Sequence, residues 1–487
     1  MSNSRLLIFV VAYNAERTIS GVLRRIPLDR LPSQTDILVI DDQSHDNTSR
    51  KVLDFSSSFK EVGLTVLYNP VNQGYGGNQK IGYHYAIEKG YDAVALLHGD
   101  GQYAPEVLPE LIAPVLSGEC DLCLGSRMME AGVALKAGMP PYKYIGNRLL
   151  SFAQNKILRM SLTEFHSGYR AYSVKGLQQI PFGYNTDDFH FDTEIIIQHK
   201  LSHMRIKEVS IPTYYGDEIC YVNGVKYAFD VMMSTISGRA HQMGIAYNRK
   251  YDVGDARYSI KIGYTSSHNV VLQKIPPGSN VLDLGCGEGH LADILQRQGC
   301  QVTGIDIQSY QQQKCKHFIR HDLNDGSLPD GLGTYDYILA LDCLEHLDNP
   351  ERLLATIRAR CYSLETEILI TVPNIGFITV RLGLFFGWFN YSPAGILDIH
   401  HKRLFTLSSL HRMLAQEGFV VRESSGIPAP FPKVLGDGVL SRLLIACNKA
   451  LIRIWKRLFS YQIYVVAEMK PPLKCLLDRA WNKTVER

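Results

Sequence analysis

Cysteine is scarce. Ten residues of 487 are scattered along the chain, too thinly for a disulfide-stapled scaffold. The one close pair, Cys120 and Cys123, lies in the apolar run CDLCLG and reads as small core hydrophobes of a buried strand in a reducing compartment. Excess charge of either sign is absent: 51 Lys and Arg stand against 48 Asp and Glu, a net charge of +3. Bulk charge therefore gives no reason to expect a nucleic-acid partner. No window reaches about 18 uncharged apolar residues, so no transmembrane helix is expected. The nearest case, Ile375 to Trp388, is shorter and carries Arg381. The apolar run Leu6 to Ala12 is too short for a targeting segment, has no small-residue cleavage site after it, and reads as a buried parallel strand. Low-complexity segments and internal repeats are also missing. What remains is ordinary globular composition, 45% hydrophobic and 20% charged, in a chain long enough for two large domains or about three average ones.

Apolar strands alternate with amphipathic helices in two separate stretches. In the first, strands are expected at Leu6 to Ala12, Ile37 to Asp41, Leu64 to Tyr68, Ala93 to Leu97 and Leu122 to Gly125. Helices are expected near Ala15 to Ile26, Asn47 to Ser57 and Asn78 to Lys89. In the second, strands fall at Asn280 to Leu284, Gln301 to Asp306 and Tyr337 to Leu341, another ends at Val372, and a helix spans Gly289 to Gln298. This rhythm predicts α/β architecture with parallel sheets covered on both faces. The polar, Tyr-rich stretch between them places a linker at 246–270, separating domains at 1–245 and 271–487, the latter with a C-terminal extension.

In open parallel sheets, ligands bind at the carboxyl ends of strands. There the first half places Asp41 and Asp42 (VIDDQSHDNT), where a carboxylate can accept hydrogen bonds from a ribose or base or cap the next helix. After the fourth strand come His98, Asp100 and Gln102 (LLHGDGQY). Alternate residues at a strand end point the same way, so these three are expected to converge on one cation, and an oxygen-rich set suits Mg²⁺ or Mn²⁺ holding a diphosphate. The segment NTDDFHFDTE offers acidic side chains, of which Asp188 and Asp192 are candidate general bases. A phosphate acceptor would need no base, whereas a hydroxyl acceptor would.

The ordered set VAYNAE, VIDDQSHDNT, NQGYGGNQK, LLHGDGQY, GSR and FHSGYRAYS resembles the inverting family 2 glycosyltransferases of the GT-A fold, and within them the polyprenyl-phosphate sugar transferases, over about residues 4–230. The resemblance implies that Ala12, Tyr13, Asn14 and Glu16 form the first nucleotide-binding loop. It implies that Asp41 and Asp42 meet base and ribose, that Asp100 and Gln102 bind metal with His98 in place of the usual first Asp, and that Arg127 and Arg170 bind phosphate. Glu164 stands where relatives often carry Asp.

In the second half, NVLDLGCGEGHLA runs a strand into a glycine-dense turn and a helix. The pattern is D-x-G-x-G-x-G, with Asp283 ahead of Gly285, Gly287 and Gly289, and differs from the G-x-G-x-x-G of a dinucleotide site. Acidic Asp283 and Glu288 would repel a pyrophosphate and suit a cationic ligand. Asp306 ends the next strand, where a carboxylate can hold ribose hydroxyls. HDLN supplies Asp322, and LALDCLEHL supplies Asp342, Glu345 and His346. The set resembles a class I S-adenosylmethionine-dependent methyltransferase of the ubiquinone-methyltransferase-like group, over about residues 265–425. The resemblance implies a Rossmann-like fold, S-adenosylmethionine as cofactor, and cofactor contacts from Asp283, Gly285, Gly287, Gly289, Asp306, Asp322 and Asp342. His401, in GILDIHHKRLFT, and His346 are candidate bases.

The insert 375–391 reads either as a lid over the methyl acceptor or as a surface resting on lipid. The tail residues Lys449, Arg453, Lys456 and Arg457 are placed to touch anionic headgroups or to face solvent from a packed C-terminal helix followed by a final strand. Together these observations lead to the expectation of a bifunctional enzyme. One domain uses a nucleotide-diphosphate sugar, Mg²⁺ or Mn²⁺ and a polyprenyl-phosphate or glycan acceptor, and the other O-methylates a glycan or lipid product of the same cell-envelope pathway. The expected location is the cytoplasm, with peripheral contact at the cytoplasmic membrane face. The alternative is a methyltransferase carrying a glycosyltransferase-shaped module that only binds.

Overall fold

The computed structural model describes residues 4–55, 62–130, 132–212, 223–243, 246–253, 266–309, 313–363, 365–432, 436, 438–477 and 481. The chain divides into two compact units, 1–255 and 256–487.

The first unit runs β1 (Leu6–Ala12), α1 (Ile19–Arg24), β2 (Thr35–Asp41), α2 (Thr48–Phe55), β3 (Leu64–Tyr68), α3 (Gly74–Glu88), β4 (Ala93–His98), α4 (Leu108–Leu116), β5 (Leu122–Ser126), α5 (Val133–Lys136), α6 (Pro141–Leu158), β6 (Arg170–Ser173), α7 (Val174–Leu177), α8 (Phe191–Leu201), β7 (Ile206–Ser210) and α9 (Gly224–Gln242). Its sheet has the order β3-β2-β1-β4-β6-β5-β7. The strands read as continuous apolar runs because both faces are covered. Leu6, Ile8 and Val10 of β1 enter one core cluster, and Leu7 and Phe9 enter the other. Gly82 of α3 allows the closest approach, since a Cβ there would lie 2.1 Å from the Phe9 ring.

Two expectations need correction. The sheet is mixed, because β6, which the periodicity did not mark, runs antiparallel to both β4 and β5. Helix α1 is also shorter than expected: residues 13–16 stay in a loop whose amides are held by neighbouring side chains instead of a helix ladder, with Asn14 N–H on Ser44 Oγ (2.8 Å) and Ala15 N–H on Thr48 Oγ1 (2.8 Å).

The second unit runs α10 (Ser267–Lys274), β8 (Asn280–Leu284), α11 (His290–Arg297), β9 (Gln301–Asp306), β10 (His317–Arg320), β11 (Tyr337–Leu341), α12 (Pro350–Arg360), β12 (Glu367–Pro373), α13 (Ile378–Phe385), α14 (Leu407–Gln416), β13 (Phe419–Ile427), α15 (Val439–Ile454), α16 (Lys456–Phe459) and β14 (Gln462–Met469). The sheet order is β10-β9-β8-β11-β12-β14-β13. β14 pairs antiparallel with both β12 and β13, so this sheet too is mixed. Helix α10 begins inside the stretch expected as linker, its first turn capped by the Ser266 hydroxyl accepting from Asn269 N–H at 3.3 Å. Residues 254–265 of that stretch lie outside the described residues. Leu282 and Leu284 face one core cluster and Val281 the other.

Candidate active sites

Both units gather their candidate residues at the carboxyl ends of the parallel strands, and three of those ends hold a non-glycine residue at positive φ: Asn14 (49°) after β1, Gln43 (62°) after β2 and Asp342 (51°) after β11. Short polar side chains tolerate this left-handed geometry best, and such backbone is concentrated where ligands bind.

In the first unit, the β1 and β2 loops are laced together. Asn14 Oδ1 accepts the His45 N–H (2.9 Å), and the Glu16 carboxylate accepts from the Asn47 amide and side chain (both 3.2 Å). Ala12 is buried, while Tyr13 is about one-third exposed beside it. Asp41 and Asp42 are buried, and each holds the site's own scaffold. Asp41 accepts from Ser44 N–H (2.9 Å) and from the Ser49 hydroxyl, and Asp42 accepts from Asn69 Nδ2 and Gln73 N–H (both 2.8 Å).

His98 and Asp100 face each other as expected, with His98 Nδ1 4.0 Å from Asp100 Oδ2. Asp100 Oδ1 accepts the Gln102 N–H at 3.0 Å across a turn in which Gly101 has φ +80°. Burial, opposed by the charges of Asp100 and Asp192, holds His98 below its ordinary value and keeps the ring neutral. The hydrogen bonds also set its tautomer. The Tyr75 hydroxyl donates its one proton to Asp192 Oδ2 (2.9 Å), so at 3.2 Å it accepts from His98 Nε2–H. The Nδ1 lone pair and the Asp100 carboxylate thus face each other as two acceptors, an arrangement that fits a cation between them. A mixed nitrogen and oxygen donor set suits Mn²⁺ better than Mg²⁺.

Four of the expected site residues fare differently. Arg170 is fully buried, and its guanidinium donates to the carbonyls of Ser167 (2.8 Å), Asp192 (2.8 Å) and Phe165 (3.0 Å). It cannot meet a ligand phosphate in this arrangement; it is a structural cation tying three backbone segments. Asp192, a candidate base, is buried against it (3.6 Å) and also receives Gln79 Nε2 (3.3 Å), so it is a core acceptor. Asp188 is the more open of the two. It pairs with Lys226 (2.6 Å), whose hydrogen bond holds it below the usual carboxylate range. Arg127 is nearly buried and donates through its amide (2.7 Å) and Nε (2.9 Å) to Glu164. Burial pushes the Glu164 carboxyl up, but the Arg127 charge and hydrogen bonds outweigh it and hold the group low. Residue-by-residue reading overlooked Tyr75 and Gln79, which join His98 to Asp192. Their signal was present in NQGYGGNQ, but nothing local pointed them at β4.

In the second unit, Gly285, Gly287 and Gly289 all take positive φ (73°, 54° and 75°). Gly287 N–H donates to Asp306 Oδ2 (2.8 Å), and Gln308 N–H to Asp306 Oδ1 (2.9 Å), which folds the glycine turn over the end of β9. Asp283 is buried behind this turn. Burial, with the Asp306 charge adding to it, pushes its carboxyl up to about 7. A buried carboxyl of this kind fits a cationic ligand, whose charge would compensate the anion. A Cβ on Gly287 would meet nothing within 4 Å, whereas one on Gly289 would lie 2.4 Å from Gln313 Oε1. Asp342 Oδ1 accepts from Thr371 Oγ1 (2.8 Å) and Gln462 Nε2 (2.9 Å). Asp322 is exposed and caps a turn through Asn324 N–H (2.9 Å).

His346 and His401 are brought together, with ring centroids 4.9 Å apart and edge to face. Glu345 joins them, its ligand atom within 4.8 Å of theirs. Its carbonyl accepts the amides of Lys402 (2.8 Å) and Arg403 (3.0 Å), which draws the 400–403 loop onto the end of β11. Burial and the neighbouring His346 hold His401 below its ordinary value. The insert 375–391 is divided: Phe377 and Val380 pack into an apolar cluster with Ile396, whereas Phe385 is 82% and Trp388 75% exposed.

Two α/β units, each with polar and glycine-rich loops at its strand ends, define a two-domain transferase. Residues 7–180 match the family model for glycosyl transferase family 2, and residues 261–424 match that for a methyltransferase domain. An undecaprenyl-phosphate mannosyltransferase of Micrococcus luteus is 28% identical over 42% of this chain and 82% of its own length. A magnesium-protoporphyrin O-methyltransferase of Rhodobacter capsulatus is 30% identical over 30% of this chain and 70% of its own. Glucosyl-3-phosphoglycerate synthase from Mycobacterium tuberculosis, solved with Mn²⁺ and uridine diphosphate, is 18% identical, covers 49% of this chain and 81% of that one, and superposes with a TM-score of 0.38. The chain carries a glycosyl transferase family 2 domain in its first half and in its second belongs to the methyltransferases.

Proposed function

We propose that the first unit transfers a sugar, with inversion, from a nucleoside-diphosphate sugar to a polyprenyl phosphate at the cytoplasmic face of a membrane. The second unit uses S-adenosylmethionine to methylate an oxygen of a glycan or lipid product of the same pathway. One observation carries the choice of acceptor. Helices α6 and α9 pack side by side, joined by Gln154 Nε2 to Thr235 Oγ1 at 3.4 Å, and each leaves an apolar stripe in the open. Tyr142, Ile145, Leu149 and Phe152 line one, and Val225, Phe229, Met233 and Ile236 line the other. Spacings of three and four residues put each set on a single helical face, and exposed stripes of this length suit a lipid surface. Among the described residues no helix is long and apolar enough to cross a membrane, so contact would be peripheral.

The state of the carboxylates favours the same acceptor. With Asp192 in the core and Asp188 paired to Lys226, neither is poised as a general base, and a phosphate, already an anion, needs none. His98, Asp100 and Gln102 would hold the divalent cation, which when bound supplies Lewis-acid stabilisation to the departing diphosphate. Attack by the phosphate oxygen from the face opposite that leaving group inverts the anomeric carbon. In the second unit the glycine turn and Asp306 would orient the cofactor, Asp283 would stabilise its positive charge, and His346 or His401 would take the acceptor proton. S-adenosylmethionine supplies the methyl group.

The test is a thermal-shift panel with GDP, UDP, TDP and CDP, each with Mn²⁺ or Mg²⁺, and with S-adenosylhomocysteine. A ligand at 100 times its Kd should add about 2.7 kcal/mol to its unit. The nucleotide that binds is then used in a transfer assay to polyprenyl phosphate. A metal-dependent shift from one nucleotide, a separate shift from S-adenosylhomocysteine and lipid-linked product are the expected results. No nucleotide shift under either metal would sink the glycosyl-transfer reading.

A further inference from the structure

The end of β13 and the helices α15 and α16 border an open cavity of about 750 Å³. Its wall carries Lys449, Arg453, Lys456 and Arg457, and among the described residues no carboxylate. Lys449 and Arg453 lie one turn apart on α15, and Lys456 and Arg457 follow beyond the break at Trp455, where φ is −144° and ψ 81°; all four line the same wall. Like charges at that spacing oppose helix formation, and the sequence has no acidic residue between Asp437 and Glu468 to offset them. Among the described residues none of the four forms an ion pair. Lys456 is held at the wall by donating to the Ser424 carbonyl. The positive potential is felt nearby: burial first, then the charges of Lys456 and Arg457, hold His411 below its ordinary value.

The rim is apolar. Ile454 and Trp455, which line it between the cations, are exposed. The cavity wall is also fastened to the strand ends of the candidate methyl-transfer site. Asn374, just past β12, donates to the carbonyls of Arg457 (3.3 Å) and Ser460 (2.8 Å), and Gln462 donates to Asp342 (2.9 Å).

We infer that this cavity is an anion site that takes the phosphate or diphosphate group of the molecule to be methylated, with the apolar rim resting on the lipid that carries it. The inference rests on the reading of the second unit as a methyltransferase acting on a lipid-linked product, and it names the chemistry by which such a substrate would be held. Four unneutralised cations match two to three phosphate charges. A rim of Trp and Ile side chains beside them is the composition of a peripheral lipid contact.

The full chain carrying Trp388→Phe and Trp481→Phe leaves Trp455 as its one tryptophan, at the rim. Its fluorescence is titrated with inorganic pyrophosphate, and with phosphatidylcholine vesicles with and without phosphatidic acid. We expect saturable responses to pyrophosphate and to the phosphatidic-acid vesicles, and a weak response to phosphatidylcholine alone. Adding Arg453→Gln and Arg457→Gln should weaken both responses about 30-fold, while the charge-matched pair Arg297→Gln and Lys470→Gln should leave them unchanged. A response to pyrophosphate without one to vesicles supports the anion site and assigns it a soluble phosphate. Equal responses from the Arg453/Arg457 variant and its parent overturn the proposal, as does no response to either probe. S-adenosylhomocysteine binding, measured on the same samples, separates this failure from failure of the methyltransferase reading.

Discussion

Replacing Asp283 with Asn should stabilise the second unit at neutral and alkaline pH while weakening its hold on a cationic cofactor. The carboxyl is buried behind the glycine turn and pushed up to about 7 from an ordinary value of 3.8. Because the folded value lies above the unfolded one, Asp283 contributes its full stability below about pH 4. That contribution is lost as pH rises to 7 and stays lost above it. A gap of about three pH units corresponds to about 4 kcal/mol. Asn is nearly isosteric and has no charge to bury, so the variant should lack this decline. The two proteins should melt alike near pH 4, and the variant should melt higher above pH 7, by roughly 8 to 16 °C in a unit of this size.

The assay is convenient because all three tryptophans, Trp388, Trp455 and Trp481, lie in the second unit, so tryptophan fluorescence follows that unit's melting alone. Binding gives a second readout. The anion should favour the sulfonium of S-adenosylmethionine over the neutral thioether of S-adenosylhomocysteine, and the variant should lose about tenfold or more of that preference. Parallel pH profiles for the two proteins, with the same preference between the two ligands, would refute the account of Asp283.

Three further outcomes are expected. Asp100 is partly exposed, and among the described residues its carboxylate meets only His98 and the Gln102 N–H, so Asp100→Ala should abolish metal-dependent nucleotide binding in calorimetry yet change unfolding of the first unit by less than about 0.5 kcal/mol. Glu164→Ala strands the nearly buried Arg127 and should cost about 3–5 kcal/mol, read by circular dichroism in denaturant. Since Arg127 holds the wild-type carboxyl low, that stability is present above about pH 4.5 and is lost as pH falls through the folded value. Gly289→Ala places a Cβ 2.6 Å from the Cys315 backbone nitrogen at φ +75° and should eliminate the thermal shift given by S-adenosylhomocysteine.

Much of this molecule is legible locally. A strand buried on both faces reads as an unbroken apolar run, which is why β1, β4, β8 and β11 stand out in the sequence, and loops that follow such strands are where ligands gather. The D-x-G-x-G-x-G turn and the polar residues after β2 and β4 therefore mark both sites without any knowledge of packing. The tertiary structure decided what contacts across the chain control. β6 is short and antiparallel, and only pairing with β4 and β5 makes it a strand. Arg170 and Asp192 carry the residue types of a binding site, but 22 positions apart in sequence they meet inside the core, where each neutralises the other. Tyr75, far from both His98 and Asp192 along the chain, sets the tautomer of one by donating to the other. The four cations of α15 and α16 line a cavity only because β13, from another part of the chain, forms its far wall. Charge, size and periodicity are properties of a residue and its neighbours in sequence. Burial and partnership belong to the folded chain, and they determine whether a charged side chain binds a ligand or holds the scaffold.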